Sequence, residues 1–270
     1  MDGRLGVTSC VVEGSLVPVA RFIAYFCKMG NDFFKFKAFE VVQAGAAMKV
    51  CTDACLFGAL LPVRNSVATR ALDIGTGTGL LSLMLAQQCP DVQITALEID
   101  GPAFEQAREN VGNSPWQQRI EVLQGDFRLW ATQQEASRAK FDLILSNPPF
   151  FEGDLKSIDS QRNKALHSTE LNFSELLKGV EALLGAKGTF AVLIPFARKE
   201  QMKALAEAHG LFLQYECLVA HTAKHPFFRA ILFFTRVQEE LISETIFIRA
   251  ANQEYSLKFK GLLAPYYLYL

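Results

Sequence analysis

The sequence predicts an α/β fold: a doubly wound, mostly parallel seven-stranded sheet with an antiparallel last strand. Three observations carry that expectation. From residue 70 onward, short apolar runs alternate with helix-like stretches, the pattern of parallel strands joined by crossover helices. The first run feeds directly into a glycine turn, Gly75 to Gly79. Polar residues able to bind ligands (Asp73, Glu98, Asp126 and Asn147) fall at or just past the ends of four successive runs. Open α/β sheets place their ligands beyond those ends.

Each element follows in order. Phe34 to Ala38 alternates apolar and basic residues, the period of a half-buried strand, and the stretch to Val50 reads as a small hairpin or lid. Thr52 or Asp53 is placed to cap a helix that Pro62 stops after Leu61. Arg70–Ile74 is a short strand, and Leu80–Gln88 a helix broken by Pro90. Val92–Ile99 is the second strand, and Pro102–Val111 a helix with proline in its first turn. Ile120–Gln124 is a third strand, Thr132–Lys140 a helix, and Phe141–Ser146 the fourth strand. Residues 151–168 are polar and without period, a long loop beside the presumed ligand edge. Phe173–Leu184 is helical up to Gly185, Thr189–Ile194 a strand and Arg198–His209 a helix. Leu211–Val219 and Phe228–Arg236 are joined by a short loop, so they pair antiparallel. Ile246–Ala250, Tyr255–Lys260 and Tyr266–Leu270 form an aromatic tail expected to pack on the sheet.

Composition sets bounds. Half of the 270 residues are hydrophobic and a fifth charged, which suits one large domain with a substantial core. The net charge of −1 excludes a generally basic nucleic-acid coat and leaves room for a local basic patch. The six cysteines, at positions 10, 27, 51, 55, 89 and 217, form no C-x-x-C pair and read as reduced thiols of a cytoplasmic protein. His167, His209, His221 and His225 show no metal spacing, so no metal is expected. Leu16 to Cys27 is apolar but contains Pro18 and Arg21 and is too short to span a bilayer. Residues 1–28 therefore read as an appended or loosely ordered segment, and residues 29–270 as a single domain with a lid at about 33–62. No membrane association and no obligate protein partner are inferred.

The turn Asn147-Pro148-Pro149-Phe150 ends the fourth strand. Proline fixes φ, removes the N–H and pushes the preceding residue toward extended geometry. What remains is a stiff turn that presents acceptors, the Asn147 side-chain oxygen and the Pro148 carbonyl, with a ring at Phe150 to stack on a flat partner. It can grip a planar group carrying –NH2. Upstream, Asp73-Ile74-Gly75-Thr76-Gly77-Thr78-Gly79 resembles a nucleotide-binding turn, but its third glycine comes one residue earlier than in the dinucleotide fingerprint. Asp73 would repel a pyrophosphate and attract a cation. S-adenosylmethionine carries an ammonium and a sulfonium and no phosphate, so it fits better than NAD. Glu98 is placed to accept both ribose hydroxyls, Ile99 to pack on the adenine, and Asp126, with Phe127 beside it, to accept from the adenine amino group.

These motifs resemble those of class I S-adenosylmethionine-dependent methyltransferases, a Rossmann-like fold: Ala71 to Gly79, Ala96-Leu97-Glu98-Ile99-Asp100 and Asn147 to Phe150. Met48-Lys49-Val50-Cys51-Thr52-Asp53, with Cys51 where glycine is expected, and the terminal Tyr255–Leu270 resemble the family that methylates adenine N6 at position 37 in the anticodon loop of tRNA1(Val). The resemblance implies that Thr52 and Asp53 close over the methionine end of the cofactor. It also implies that Asn147 serves both the cofactor and, with Pro148, Pro149 and Phe150, the chemistry.

A tRNA partner needs a basic surface. Candidates are Lys35 and Lys37; Lys156, Arg162 and Lys164 in the polar loop; and Lys224 and Arg229 at the last hairpin. The same chemistry on another planar amino group is the alternative: guanine N2 of rRNA, adenine N6 of DNA, or a release-factor glutamine.

Overall fold

The computed structural model describes residues 11–12, 15–16, 32–44, 49–135, 140–149 and 171–270. The loop at 151–168, Phe150, Lys156, Arg162, Lys164 and nearly all of the expected appendage at 1–28 lie outside the described residues. Within the appendage, β1 (Val11–Val12) pairs antiparallel with β2 (Ser15–Leu16).

A small hairpin of β3 (Phe33–Lys35) and β4 (Glu40–Val42) precedes the helix α1 (Thr52–Arg64). The main unit then alternates: β5 (Arg70–Ile74), α2 (Leu80–Gln88), β6 (Gln93–Glu98), α3 (Gly101–Gly112), β7 (Ile120–Gln124), α4 (Phe127–Glu135) and β8 (Phe141–Ser146). After residues 150–170 come α5 (Phe173–Leu183), β9 (Leu184–Pro195), α6 (Lys199–Ala208), β10 (Phe212–Ala220), β11 (Arg229–Thr235), β12 (Ile242–Phe247) and α7 (Leu257–Leu263).

The main sheet has the order β12-β10-β11-β9-β8-β5-β6-β7. β11 is antiparallel to both of its neighbours, and the remaining pairings are parallel. The sheet has eight strands where the sequence pattern led us to seven. The extra one, β12, begins four residues before the Ile246–Ala250 part of the aromatic tail and pairs parallel with β10 from Tyr215↔Ile242 to Ala220↔Phe247. It is an edge strand in which only Ile246 is buried, so it lacks the continuous apolar run by which the buried strands announce themselves. The tail also contains α7, capped by the Ser256 hydroxyl, which accepts from Phe259 N–H.

Side chains alternate across the sheet with the strand period. Ala71, Leu143, Leu145, Ala191 and Leu193 face the core under α1, α2 and α7. Leu72, Ile74, Ile144, Phe190, Val192 and Ile194 face the core under α4, α5 and α6. α1 is buried along Asp53 to Pro62, wedged against α2, α7 and β9. It runs through Pro62 rather than stopping there. Proline removes only its own N–H, and Asn65 holds the last turn, its N–H and side-chain amide both donating to Leu61 O at 3.0 and 3.2 Å. The expected caps, Thr52 and Asp53, lie inside the helix, and Cys51 occupies the cap position without a side-chain bond.

α4 begins five residues earlier than the Thr132 start read from the sequence. Asp126 starts it: its carbonyl accepts from Trp130 N–H and its carboxylate from Arg128 N–H, each at 2.9 Å. Phe127 is thereby turned into the core, where Gly179 of α5 leaves room for its ring. A Cβ at Gly179 would lie 2.5 Å from Phe127 Cε1 and Cζ. Gly179→Ala is expected to destabilise the protein by about 1–3 kcal/mol through overpacking. The check is the urea midpoint, and an unchanged midpoint would contradict this packing.

Candidate active site at the carboxyl edge of the sheet

β8, β5, β6 and β7 lie side by side and parallel, so their carboxyl ends share one edge. Along it the order is Asn147, Asp73 with its glycine turn, Glu98, then Asp126. After β7 the chain returns to the other flank of β5, which makes the ends of β5 and β8 the switch point of the sheet, the place where open α/β sheets bind their ligands.

Asp73 is fully buried at the end of β5. Its Oδ2 accepts from Thr76 Oγ1 and Ser82 Oγ, both at 2.7 Å. Its Oδ1 is buried and has no hydrogen-bond partner among the described residues. Burial pushes its pKa up to about 6, against the hydroxyl bonds that pull it down. Ser82 is the polar residue within the apolar run Leu80 to Ala86, and that break in the run was the signal for it.

Gly75, Gly77 and Gly79 take left-handed φ of 70°, 59° and 82°, which side chains disfavour. A Cβ at Gly75 or Gly77 would meet nothing within 4 Å, so the turn borders open space. The turn is pinned to the next strand end: Gly75 and Thr76 N–H donate to Leu97 O at 2.8 and 3.1 Å. Glu98 is buried, its Oε2 accepting from Gly77 N–H at 2.8 Å and its Oε1 from the Ile99 and Asp100 N–H groups at 2.9 and 3.0 Å. Oε2 keeps a lone-pair site for a further donor, whereas the two backbone N–H groups take both sites of Oε1. Ile99 beside it is 52% exposed, an apolar surface open at the crevice.

On the other flank, Ser146 Oγ donates to Ile74 O at 2.9 Å and locks the end of β8 to the end of β5. The Asn147 turn starts from this fixed point, with Pro148 buried and Pro149 exposed.

Other candidates are engaged differently from the sequence reading. Asp126 is gripped by Arg128, whose Nε lies 3.0 and 3.1 Å from the two carboxylate oxygens, and this partner holds Asp126 below the usual carboxylate range. The Phe127 ring is buried, so what it offers the crevice is backbone. Asp53 and Arg229, assigned separately to cofactor and RNA, are partners: Arg229 Nε donates to Asp53 Oδ2 at 2.7 Å. They tie the first turn of α1, where Thr52 sits half-buried, to the start of β11. Lys37 Nζ donates to Ala264 O at 2.6 Å, fastening the hairpin to the tail. Lys35 sits opposite Glu40 in the hairpin register, and Lys224 is exposed in the loop after β10.

Asn110 was missed. It is buried on α3, accepts from Val42 N–H, and donates to Val42 O and Thr78 O, all at 2.9 Å. It thus clips the hairpin to the glycine turn. Burial also pushes the thiols of Cys51, Cys55 and Cys217 up to about 12, which leaves them without thiolate character at neutral pH. Among the described residues no group of His, Cys, Asp and Glu could hold a metal ion.

The donor set fits S-adenosylmethionine. An orphaned buried carboxylate oxygen awaits a cation, the glycine turn faces open space, and a second carboxylate stands at the neighbouring strand end. Comparison with known proteins agrees. The profile of the methyltransferase small domain family matches residues 53–170. The fold is shared with a solved structure described as a predicted O-methyltransferase from Agrobacterium tumefaciens, at TM-score 0.62 and 17% identity over 79% of this chain and 96% of that one. Fold and site together define a class I, Rossmann-like, S-adenosylmethionine-dependent methyltransferase.

Two relatives narrow this. A Bacteroides fragilis protein named tRNA1(Val) (adenine(37)-N6)-methyltransferase is 44% identical over 89% of this chain and 99% of its own length. A Tolumonas auensis protein of the same name is 39% identical over 89% and 98%. The chain belongs to the tRNA1(Val) (adenine(37)-N6)-methyltransferase family.

Asn110→Ala would strand Val42 N–H and two carbonyls. We expect a loss of about 1–3 kcal/mol in unfolding free energy, together with several-fold weaker S-adenosylmethionine binding by calorimetry. Wild-type values in both measurements would show that the clip is dispensable.

Proposed function

We propose that this chain methylates N6 of the adenine at position 37 in the anticodon loop of tRNA1(Val). The observation that carries this reading is the Ser146–Ile74 hydrogen bond, which sets the acceptor turn at Asn147 beside the strand end bearing Asp73. When bound, S-adenosylmethionine supplies an electrophilic methyl on a sulfonium. The residues do the rest.

The Asp73 carboxylate, with its unpaired Oδ1, holds the cationic methionine end, with Thr52 and the Asp53-braced first turn of α1 above it. Gly75, Gly77 and Gly79 let backbone approach closely. Glu98 accepts from the ribose, Ile99 packs on the cofactor adenine, and Asp126 with the backbone of Phe127 borders its amino edge. The substrate N6 lone pair is delocalised into its ring and is a poor nucleophile. Asn147 Oδ1 and the Pro148 carbonyl accept its two hydrogens, so the nitrogen moves toward tetrahedral geometry and its lone pair becomes available. Pro149 stiffens the turn and Phe150 stacks on the base, which must be presented out of its own stack. Catalysis then comes from positioning and fixed dipoles. The proton shed after transfer passes to water.

The same reading makes residues 29–270 one domain, with residues 1–28 appended, working in the cytoplasm. No helix among the described residues is long and apolar enough to cross a membrane. Lys35, Lys37, Lys224 and, from the polar loop, Lys156, Arg162 and Lys164 are its candidate RNA cations. Arg229 braces Asp53 in addition to any phosphate it meets.

Incubation with tRNA lacking the modification, followed by mass spectrometry of the nucleosides, tests the proposal. N6-methyladenosine in the anticodon loop is expected. Methylated guanine, or methylglutamine in a release factor with unmodified tRNA, would overturn it. Asn147→Ala is expected to keep cofactor affinity and lower kcat by roughly 10²–10³-fold, the usual cost of removing a preorganised transition-state contact.

A further inference from the structure

The carboxyl edge continues past Asn147. Beyond β8 it runs through the end of β9, the start of β11 and the end of β10. There the loop 221–228 joins β10 to β11. The rings of His221 and Phe228 lie face to face in this loop, with centroids 4.4 Å apart and planes 3° from parallel. Backbone bonds fix both members. Phe228 N–H donates to Val219 O at 3.0 Å, and Phe196 N–H donates to Phe228 O at 3.1 Å. Arg249 N–H, from the loop after β12, donates to His221 O at 2.9 Å. The stack is therefore built in advance, anchored to three separate elements.

Its surroundings favour a nucleotide. His221, Lys224, His225 and Arg249 are exposed, Phe228 is half-buried, and residues 221–228 include no acidic residue. Phe227 adds a second ring pair with Phe196, at 5.4 Å. Single-stranded nucleic acid is held by flat rings on which bases stack, with cations nearby for the phosphates. Three strand spacings separate the ends of β8 and β10, roughly 14 Å along one edge. Extruding a target adenine also costs its neighbours their stacking partner, and a fixed ring at that distance can replace it.

We propose that the His221–Phe228 stack is a second base-binding platform, on which a loop nucleotide flanking the target adenine lays its base, with Lys224 beside it for the phosphate. This rests on the tRNA reading above. The probe is the anticodon stem–loop of tRNA1(Val), methylated by the full chain. His221→Ala is expected to raise KM for the stem–loop by about 5- to 150-fold, the range of one base–aromatic stack. kcat and S-adenosylmethionine affinity should stay at wild-type values, and His221→Phe should restore most of the KM.

Stem–loops with single abasic sites then locate the partner. At one flanking position the abasic change should weaken the wild type and leave His221→Ala unaffected, the non-additivity expected of a direct contact. An unchanged KM in His221→Ala, or abasic losses equal in both proteins at every position, overturns the platform. Loss of cofactor affinity in His221→Ala and His221→Phe alike marks a structural ring and also overturns it. A wild-type protein that leaves both the stem–loop and full-length tRNA1(Val) unmodified overturns the substrate reading itself, and the platform with it; if only the full tRNA is methylated, the same KM comparison is read on full-length tRNA.

Discussion

The buried carboxylate of Asp73 is the constraint around which the site is built. An ionised group taken from water is costly unless it is paired. Here two hydroxyls satisfy one oxygen, and the other meets no hydrogen-bond partner among the described residues. The result is a pKa raised to about 6, chiefly by desolvation. The sign of the linkage follows. The free folded protein holds this proton to higher pH than the unfolded chain does, so this group makes stability fall as pH rises from about 4 to about 6. A cation at Oδ1 relieves that penalty. On the proposed role of Asp73, cofactor binding would draw on a strain the fold already carries, as functional sites commonly do.

The rest of the edge is registered to this point. Ile74, next to Asp73, faces Leu97 on one side and Ser146 on the other. Hence the glycine turn, Glu98 and the Asn147 turn are set by strand pairing rather than by loop flexibility. The peripheral elements close around them through long-range clips. Asn110 holds the hairpin to the glycine turn, Arg229 holds the first turn of α1, and the tail zips onto the hairpin where Lys37 N–H donates to Tyr266 O at 2.8 Å. Such clips hold the hairpin and α1 in place without demanding a large interface.

The sheet from β5 to β11 was legible because its strands, the edge strand β7 apart, are mostly buried, and because helical stretches or a short loop with proline and glycine punctuation separate them. The placement of Asp73, Glu98 and Asn147 on one edge was legible because each polar residue closes an apolar run at a strand end. What stayed hidden depends on distance in the chain. Asp53 and Arg229 stand 176 residues apart, and neither carries a local sign that it will meet the other. Asn110 sits within a polar helix surface, so its burial shows only once the hairpin covers it. Phe127 seemed part of the cofactor wall because it follows Asp126, yet the early start of α4 turns its ring inward. β12 escaped notice because an exposed edge strand needs no apolar run.

Cofactor affinity as a function of pH tests the central role of Asp73 most directly. Calorimetry of S-adenosylmethionine binding between pH 5 and 7 should show wild-type affinity rising about tenfold and levelling off above the Asp73 pKa of about 6, since one pH unit below a pKa costs a factor of ten. Asp73→Asn should bind weakly and show no such rise. A wild-type affinity that is flat across this range, or an Asp73→Asn variant that follows the same curve, would contradict the account.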